Sequence, residues 1–329
     1  MKRVIAIVAG GDSSEHDVSL RSALGIYSFI DKEKYDCYII EIKGQSWEAF
    51  INKSVKVIVD HGDFSFQTIN GRIRPDFAYI TIHGTPGEDG ILQGYFDMIG
   101  LPYSTSNVLV EALTFNKFTL NQYLRSFGIR ISESMMIRKG QEKEVHARDI
   151  VEKIGLPCFI KPNAGGSSFG VTKVLTINKI EQAISKAFAE SNEVMIEAMM
   201  SGTEITCGCY KTRTHRCVFP ITEVVTDNDF FDYNAKYNGQ VQEITPARIA
   251  PATAERVQAL TSSIYDILGC EGLIRIDYIL TKENDEDKIN LLEINTTPGM
   301  TATSFIPQQI KAAGLDIKDV MTHIIENKF

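Results

Sequence analysis

The chain of 329 residues lacks the features that would assign it to a membrane, a nucleic acid or a disulfide scaffold. It has no run of about eighteen apolar residues, so no membrane-spanning helix is expected. The net charge is −8 and no basic stretch offsets it, which argues against a nucleic-acid surface. The six cysteines are scattered without metal-type or disulfide-type spacing. Reduced thiols and a cytoplasmic location are therefore expected.

Apolar periodicity predicts a doubly wound α/β domain at the start of the chain. A strand over 3–8 ends at Gly10–Gly11, and apolar residues at helical spacing follow. Further strands are expected over 35–42, 55–59 and 77–82. The first apolar run is too short for a signal peptide, and the absence of G-x-G-x-x-G excludes a dinucleotide-dependent dehydrogenase. Ligands of such sheets bind beyond the carboxyl ends of the strands, which makes the loops 10–19 and 83–90 candidate binding segments.

Both candidate loops carry charged residues whose roles stay open at this point. Glu15 stands just before the first helix, where a carboxylate either caps the helix or contacts a substrate. His83 ends a strand, at a position where ligands are bound, and is interpreted as a binding residue. Glu88 and Asp89 follow in the sequence HGTPGEDG and are expected to accept hydrogen bonds from loop amides.

The middle of the chain predicts a phosphate-binding flap. A strand over 156–162 carries Lys161 near its end and leads through the loop AGGSSFG into a second strand. The loop amides can wrap a phosphate, and the lysine adds a fixed positive charge. Lys117 lies inside a predicted helix over 107–127, a setting in which a lysine is usually solvated. Glu197 ends a further strand and suits either a nucleoside contact or an exposed position.

Near its end the chain predicts a hairpin with a charged face. Strands over 272–280 and 289–295 are joined by a charged segment, and alternate residues of each strand share a face. The face carries Arg275, Asp277, Glu293 and Asn295. Its three oxygen donors suit Mg²⁺ held beside substrate phosphates, and the turn at Pro298–Gly299 offers backbone amides to an anion. The alternative is a buried ion pair that only stabilises the hairpin. Such pairs are costly to bury, and this alternative explains neither the side-chain amide of Asn295 nor the turn at Pro298–Gly299.

Residues 227–239, DNDFFDYNAKYNG, show neither the helical nor the strand period. Irregular loops of this length are usually functional or disordered. The clustered aromatic residues favour an ordered lid that closes over a site.

Seven motifs, in order along the chain, resemble those of the D-alanine–D-alanine ligase family of the ATP-grasp superfamily. They are GG…EHDVS, IHGTPGEDG, the Lys117 helix, FIKPNAGGSSFGV, FFDYNAKY, GLIRID and LLEINTTPGMTATS. The resemblance implies a three-domain α/β ATP-grasp fold, with a doubly wound amino-terminal domain over 1–104, a central subdomain over 105–197 and a carboxyl-terminal subdomain over 198–329. It also implies ATP-dependent joining of two D-alanines through a D-alanyl phosphate, for peptidoglycan synthesis. ATP and two Mg²⁺ ions, with Mn²⁺ as an alternative, would serve a homodimeric enzyme.

The same resemblance implies a role for each matching residue. Catalytic roles fall to Glu15, Ser167, Tyr237, Arg275 and Gly299, the last two as the oxyanion site. D-Alanine is bound by Glu15, His83 and Ser304. ATP is bound by Lys117, Lys161, Ser167, Glu197, Glu204 and Lys236. Metal is bound by Asp277, Glu293 and Asn295.

Three positions depart from the family pattern. Ala198 stands where the family usually has a lysine that reaches the adenine, so adenine recognition is expected to rest on backbone and apolar contacts. Asn116 and Thr105 replace an aspartate and a glycine without touching the expected chemistry. In the other direction, relatives that make D-alanyl-D-lactate lack the lid tyrosine, so Tyr237 favours an amine as second substrate.

Two alternatives to the main interpretation stay open. One is another ATP-grasp ligase, including a D-alanine ligase with D-lactate or D-serine as second substrate. The other is a nucleotide-binding protein without catalysis, which would be expected to have lost metal or oxyanion residues. Those residues are intact here, so the second alternative is the weaker one.

Overall fold

The structure of the chain is a computed structural model that describes residues 2–52, 54–142, 144–166, 169–226 and 241–329. The predicted lid and three predicted site residues, Ser167, Lys236 and Tyr237, lie outside the described residues. The roles given to them therefore stay predictions.

The amino-terminal part forms a five-stranded sheet with the order β4-β3-β2-β1-β7. Its strands, with a separate β5–β6 hairpin, are β1 (Arg3–Gly10), β2 (Tyr35–Lys43), β3 (Ser46–Phe50), β4 (Lys56–Ile58), β5 (Phe66–Thr68), β6 (Gly71–Ile73) and β7 (Phe77–Ile80). Strand β1 is parallel to β2 and β7, and its side chains are buried alternately in two core clusters. Helix α1 (His16–Phe29) packs in one cluster and α2 (Ile91–Ile99) in the other. Helices on both faces confirm the doubly wound prediction.

The segment between β2 and β7 differs from a regular alternation of strands and helices. Strands β3 and β4 are antiparallel and extend the sheet at its edge. Gly44, with φ of 53°, occupies the tight turn that folds β3 straight back on β2. A left-handed backbone is easily adopted by glycine, so the chain forms a hairpin here instead of a crossover helix.

The central part is an antiparallel four-stranded sheet with the order β10-β9-β11-β8. Its strands are β8 (Ser134–Arg138), β9 (Cys158–Pro162), β10 (Thr172–Val174) and β11 (Glu193–Ala198). Helices α5 (Ala147–Ile154) and α6 (Ile180–Phe188) pack on it, and a 3₁₀ turn over Ile177–Lys179 precedes α6. The pairing of β9 with β10 confirms the predicted hairpin around the glycine-rich loop.

The single helix predicted over 107–127 is wrong, because two helices occupy this range. They are α3 (Val108–Phe115) and α4 (Lys117–Arg125). Asn116 between them has ψ of 91°, and its side chain accepts a hydrogen bond from the amide of Thr119. An asparagine that caps the following turn ends one helix and begins the next, which places Lys117 at the first position of α4.

The carboxyl-terminal part is a six-stranded antiparallel sheet. Its strands are β12 (Thr203–Lys211), β13 (Arg216–Val218), β14 (Thr222–Thr226), β15 (Val241–Ile244), β16 (Leu273–Glu283) and β17 (Glu286–Asn295). The helices are α7 (Pro251–Leu268), α8 (Phe305–Ala312) and α9 (Ile317–Glu326). Apolar residues of α3, α4 and α7 share one core cluster with this sheet. The predicted domain bounds at 104/105 and 197/198 stay predictions.

Two negative expectations can be compared with the described residues. Among the helices described, none is long and apolar enough to cross a membrane. All six cysteines are free thiols, and Cys207 and Cys209 lie in the same core cluster.

Candidate active site

The charged hairpin forms in the register that brings its four polar side chains together. Arg275 pairs with Asn295 and Asp277 with Glu293 across β16 and β17. The guanidinium donates from Nε and Nη2 to the two carboxylate oxygens of Asp277, each at 2.8 Å. Asn295 Nδ2 donates to Asp277 Oδ2 at 3.1 Å. The predicted common face is confirmed.

The ion pair between Arg275 and Asp277 is largely buried, with side-chain exposures of 13% and 9%. Burial opposes the charge of the arginine, but the adjacent carboxylate outweighs it and raises the pKa of the guanidinium. The guanidinium carbon also lies 5.3 Å from the centre of the Phe305 ring. The buried ion pair that was the alternative to a ligand site is therefore present, and Arg275 also lines a cavity.

A cavity of about 680 Å³ opens on this face of the hairpin. Eight of the predicted site residues line it, from well-separated parts of the chain: Glu15, His83, Lys117, Arg275, Glu293, Asn295, Gly299 and Ser304. Its volume is within the range of small-molecule sites, roughly 300–1,000 Å³. The structure thus brings these residues together, and the role of each stays a prediction.

Glu15 lies at the start of α1 but does not cap it, since its side chain makes no capping hydrogen bond. The capping alternative is therefore wrong, and the carboxylate lines the cavity with the residue only 8% exposed. The glycine-rich loop reaches it directly. A Cβ atom built on Gly166 would lie 2.4 Å from Glu15 Oε2, closer than any real contact. A side chain at position 166 would therefore displace this carboxylate or the loop.

His83 follows β7 and is buried at the base of the cavity. Its Nε2 lies 3.4 Å from the hydroxyl of Ser22, and its carbonyl accepts a hydrogen bond from Ser13 Oγ at 2.7 Å. Burial lowers the pKa of the imidazole, the charge of Arg275 lowers it further, and the charge of Glu15 opposes both. His83 is therefore a neutral hydrogen-bonding group at neutral pH. Ser22 was missed from the sequence, although it lies on the same face of α1 as Glu15, seven residues on.

Glu88 accepts the amide of Gly84 at 2.7 Å, which confirms its predicted loop role. It also lines the cavity, which the sequence did not indicate. Burial, together with the nearby charge of Glu15, raises the pKa of Glu88 to about 7. A carboxyl with such a pKa changes charge near neutral pH, so it belongs among the functional candidates.

Two hydrogen bonds to the glycine-rich loop and the residues before it hold Lys117 beside the cavity. Its Nζ donates to the carbonyl of Gly165 at 2.6 Å, and its amide donates to the carbonyl of Asn163 at 3.1 Å. Burial lowers the pKa of the amine. The expectation of an ordinary solvated lysine is therefore wrong, because the break at Asn116 aims this side chain at the glycine-rich loop.

Lys161 and Glu197 lie outside the cavity wall and bind each other. The Lys161 Nζ to Glu197 Oε1 distance is 2.5 Å, and both residues are buried. Adjacent strands β9 and β11 carry them, which explains the contact. The exposed alternative for Glu197 is wrong. Glu204 lies on β12, close enough for its charge to raise the pKa of Arg275.

The turn after β17 places Gly299 beside Ser304. A Cβ on Gly299 would lie 3.1 Å from Ser304 Oγ. The Ser304 hydroxyl is bonded to Thr301, whose amide donates to it at 3.1 Å and whose hydroxyl lies 2.8 Å away. Against α1, the turn packs so closely that a Cβ on Gly25 would lie 2.1 Å from the carbonyl of Met300. Close packing against helix α1 therefore fixes the position of this turn relative to the cavity.

The predicted metal donors are two carboxylates and one amide. Within the described ranges no group of three or more His, Cys, Asp or Glu side chains could hold a metal by itself. A set of few hard oxygen donors fits Mg²⁺ that takes further ligands from water and phosphates, as Mg²⁺ usually does. Glu293 and Asn295 line the cavity, whereas both carboxylate oxygens of Asp277 accept hydrogen bonds from Arg275. The three residues therefore stay the predicted donors for a metal bound together with a nucleotide.

The three sheets and the cavity between them define an ATP-grasp fold. Residues 4–106 match the family model described as D-ala D-ala ligase N-terminus, and residues 123–326 match the model of the D-ala D-ala ligase C-terminus. The chain belongs to the D-alanine–D-alanine ligase family.

Individual relatives agree with this assignment. The chain is 69% identical over 329 residues to a D-alanine–D-alanine ligase of Phocaeicola vulgatus, with 100% of both chains covered. The VanG D-Ala:D-Ser ligase of Enterococcus faecalis is similar in structure, with a TM-score of 0.87, 29% identity and 100% of both chains covered. A D-alanine–D-alanine ligase of Bacillus anthracis solved with ATP has a TM-score of 0.77 and 27% identity, with 99% of this chain and 97% of that chain covered.

Proposed function

We propose that this protein joins two D-alanines to D-alanyl-D-alanine, with conversion of ATP to ADP and phosphate, and so supplies a dipeptide for peptidoglycan. The observation that carries the proposal is the single cavity that unites Glu15, His83, Arg275 and the donors of β17. The full-length identity of 69% to a D-alanine–D-alanine ligase supports it.

In this proposal ATP binds between the central and carboxyl-terminal sheets. Lys117 and Lys161 contact the phosphates, and Glu197 and Glu204 hold the nucleoside end. Asp277, Glu293 and Asn295 hold Mg²⁺, which when bound neutralises phosphate charge. The ATP complex of the Bacillus anthracis relative supports nucleotide binding by this fold. The ion pair between Lys161 and Glu197 holds the lysine amine in place across the two adjacent strands.

The first D-alanine binds on the amino-terminal side of the cavity. The buried carboxylate of Glu15 takes its ammonium, and neutral His83 donates a hydrogen bond to its carboxylate. A carboxylate is a poor electrophile, so its oxygen attacks the γ-phosphate to give an acyl phosphate and ADP. The segment 227–239, outside the described residues, acts in this proposal as the lid that keeps water from the acyl phosphate.

The second D-alanine attacks the acyl phosphate as a neutral amine. Its carboxylate binds the hydroxyl of Ser304, which lies beside Gly299. The tetrahedral intermediate carries an oxyanion, which Arg275 and the amide of Gly299 stabilise before phosphate leaves. The proximity of Gly299 to Ser304 supports a single subsite that binds the carboxylate of the second D-alanine and positions its amine for attack.

A second candidate function is D-alanine ligation to another acceptor. The similarity to a D-Ala:D-Ser ligase over the whole chain favours testing D-serine. Tyr237 favours an amine over D-lactate, and a Tyr237→Phe variant should shift the product ratio toward D-alanyl-D-lactate. An unchanged ratio would remove that argument.

One experiment separates these candidates. ADP release is measured with Mg²⁺-ATP and D-alanine, L-alanine, D-lactate or D-serine, alone and in pairs, and products are identified by mass. D-Alanyl-D-alanine as the main product, dependent on Mg²⁺ and D-alanine, is expected. Turnover only with D-alanine plus D-serine or D-lactate would mean that the second substrate is D-serine or D-lactate and not D-alanine. No turnover with any pair would refute the proposal.

Two further properties belong to the same proposal. A homodimer is expected from the family resemblance, and light scattering of the purified protein measures its mass. A cytoplasmic location is supported by the six free thiols, which suit a reducing compartment. Fractionation of cells that express the full chain tests it.

A further inference from the structure

Glu111 of α3 is a fully buried carboxyl to which none of the roles above has been given. Its exposed fraction is 0%. One carboxyl oxygen accepts the amide of Ser106 at 2.9 Å, and the other accepts the hydroxyl of Thr296 at 2.5 Å. These contacts tie α3 to the turn before it and to the residue that follows β17.

The surroundings of this carboxyl disfavour its ionisation. Burial raises its pKa well above the usual range, the charges of Glu88 and Asp89 raise it further, and the hydrogen bonds from Thr296 and Ser106 oppose this rise. Its hydrogen-bond partners in the described part of the chain are an amide and a hydroxyl. A buried carboxyl in such surroundings acts through its hydrogen bonds.

The two contacts join parts of the site that different elements carry. Thr296 directly follows Asn295, whose amide is bonded to Asp277. Helix α3 is separated by one residue from α4, which begins with Lys117. Ser106 is held in turn by Glu271, through hydrogen bonds in both directions between its hydroxyl and the Glu271 backbone. The carboxyl of Glu111 thus links the helix before Lys117, a proposed phosphate ligand, to the end of β17 that carries the proposed metal donors.

We propose that Glu111 is a positioning residue that sets the distance between Lys117 and the end of β17, so that one Mg²⁺-nucleotide is bound by both. It does not itself touch the nucleotide. This inference rests on the nucleotide site of the proposed function, but it does not depend on which amino acids are joined.

The test measures binding of the non-hydrolysable analogue AMPPNP, with Mg²⁺ and without amino acid, by calorimetry on the full chain. Glu111→Ala should weaken binding about tenfold, the lower end of what loss of a ligand-orienting contact usually costs a metal site. Glu111→Gln should bind within about twofold of the parent, because its amide can accept from Ser106 and donate to the Thr296 hydroxyl. That rescue would not occur if the residue acted through a charge.

A double-mutant cycle shows whether Glu111 acts through Thr296. Thr296→Val should weaken binding about as much as Glu111→Ala, and the double variant no more than either, because both remove one contact. Thr253→Val is the matched control. Its hydroxyl donates to Asp287 at 2.6 Å near the other end of β17, so it should lower the melting temperature and leave nucleotide affinity unchanged.

Parent-like binding by Glu111→Ala and Thr296→Val would overturn the inference, as would fully additive effects or an equal loss in Glu111→Gln. If Glu111→Ala does not fold, Thr296→Val and Glu111→Gln still decide the question. A parent protein that binds Mg²⁺-AMPPNP but joins no D-alanine would refute the proposed function alone and leave this inference standing.

Discussion

The two sides of the cavity handle charge in opposite ways. On the hairpin side, Arg275 and Asp277 neutralise each other through two hydrogen bonds between residues two apart in sequence. On the amino-terminal side, Glu15 and Glu88 face a neutral histidine, and burial raises the pKa of Glu88. The hairpin is preorganised by strand register, whereas the amino-terminal side has excess negative charge that suits a ligand's ammonium.

Breaking the hairpin side should have the largest effect. Glu293→Gln removes one of the carboxylates proposed to hold Mg²⁺ but keeps the side-chain shape. Turnover, measured as ADP release, should fall by more than the roughly 10- to 100-fold seen when a residue only orients a ligand. Glu286→Gln, at the exposed start of β17, serves as control. Full activity of Glu293→Gln with an unchanged melting temperature would refute the assignment of Glu293 as a metal ligand.

The next effect separates the proposed oxyanion role of Arg275 from its role in the ion pair. Arg275→Lys keeps a cation but loses the two-point contact with Asp277. The kcat should fall by roughly a hundredfold or more, as expected when an oxyanion donor is misplaced. Arg248→Lys is the control, since Arg248 makes the same two-point contact with Glu223 outside the cavity wall. Equal losses in both variants would reduce the role of Arg275 to stability.

The amino-terminal side is tested by crowding Glu15. Gly166→Ala places a methyl group 2.4 Å from its carboxylate, so loop or carboxylate must move. A displaced Glu15 carboxylate should bind the ammonium of D-alanine less well, which should appear as a higher KM for D-alanine. Gly94→Ala, whose Cβ would meet only Val108 at 3.7 Å, should leave the KM unchanged. An unaltered KM in Gly166→Ala would separate the loop from substrate binding.

The smallest expected effect concerns pH. Glu88 keeps its proton in the folded chain up to about pH 7, while its usual pKa is 4.5. Between these values the folded state binds more protons than the unfolded state, so this group's contribution to the free energy of unfolding falls as pH rises. Denaturant unfolding of Glu88→Gln should therefore show a smaller decline across this window than the parent.

The matched control for this measurement is Glu142→Gln. Glu142 also accepts a glycine amide in a loop, from Gly140 at 2.8 Å, but it is exposed. Its substitution should leave the pH dependence of the parent intact. Parallel pH profiles for the parent and Glu88→Gln would show that Glu88 titrates at its ordinary value.

The sequence predicted the hairpin side more completely than the amino-terminal side. The period of two and the short connection between β16 and β17 predict the hairpin and its charged face, but continued from the connection they would set Arg275 opposite Ile294. A bulge between Asp277 and Tyr278 shifts the register by one residue and puts Arg275 opposite Asn295. The break at Asn116 was missed because apolar spacing continues through it. The cavity position of Glu88 was missed because a loop glutamate bonded to an amide gives no signal of a distant neighbour such as Glu15.

The sequence by itself determined most of the local elements, the charged face and the family, because periodicity and motif order are properties of neighbouring residues. Only the tertiary structure decided in which direction the pKa values of the buried groups shift. The raised pKa of Glu111 and the lowered pKa of Lys117 both follow from burial among elements far apart in the chain. Desolvation depends on everything that surrounds a group, and that environment exists only once the sheets have packed.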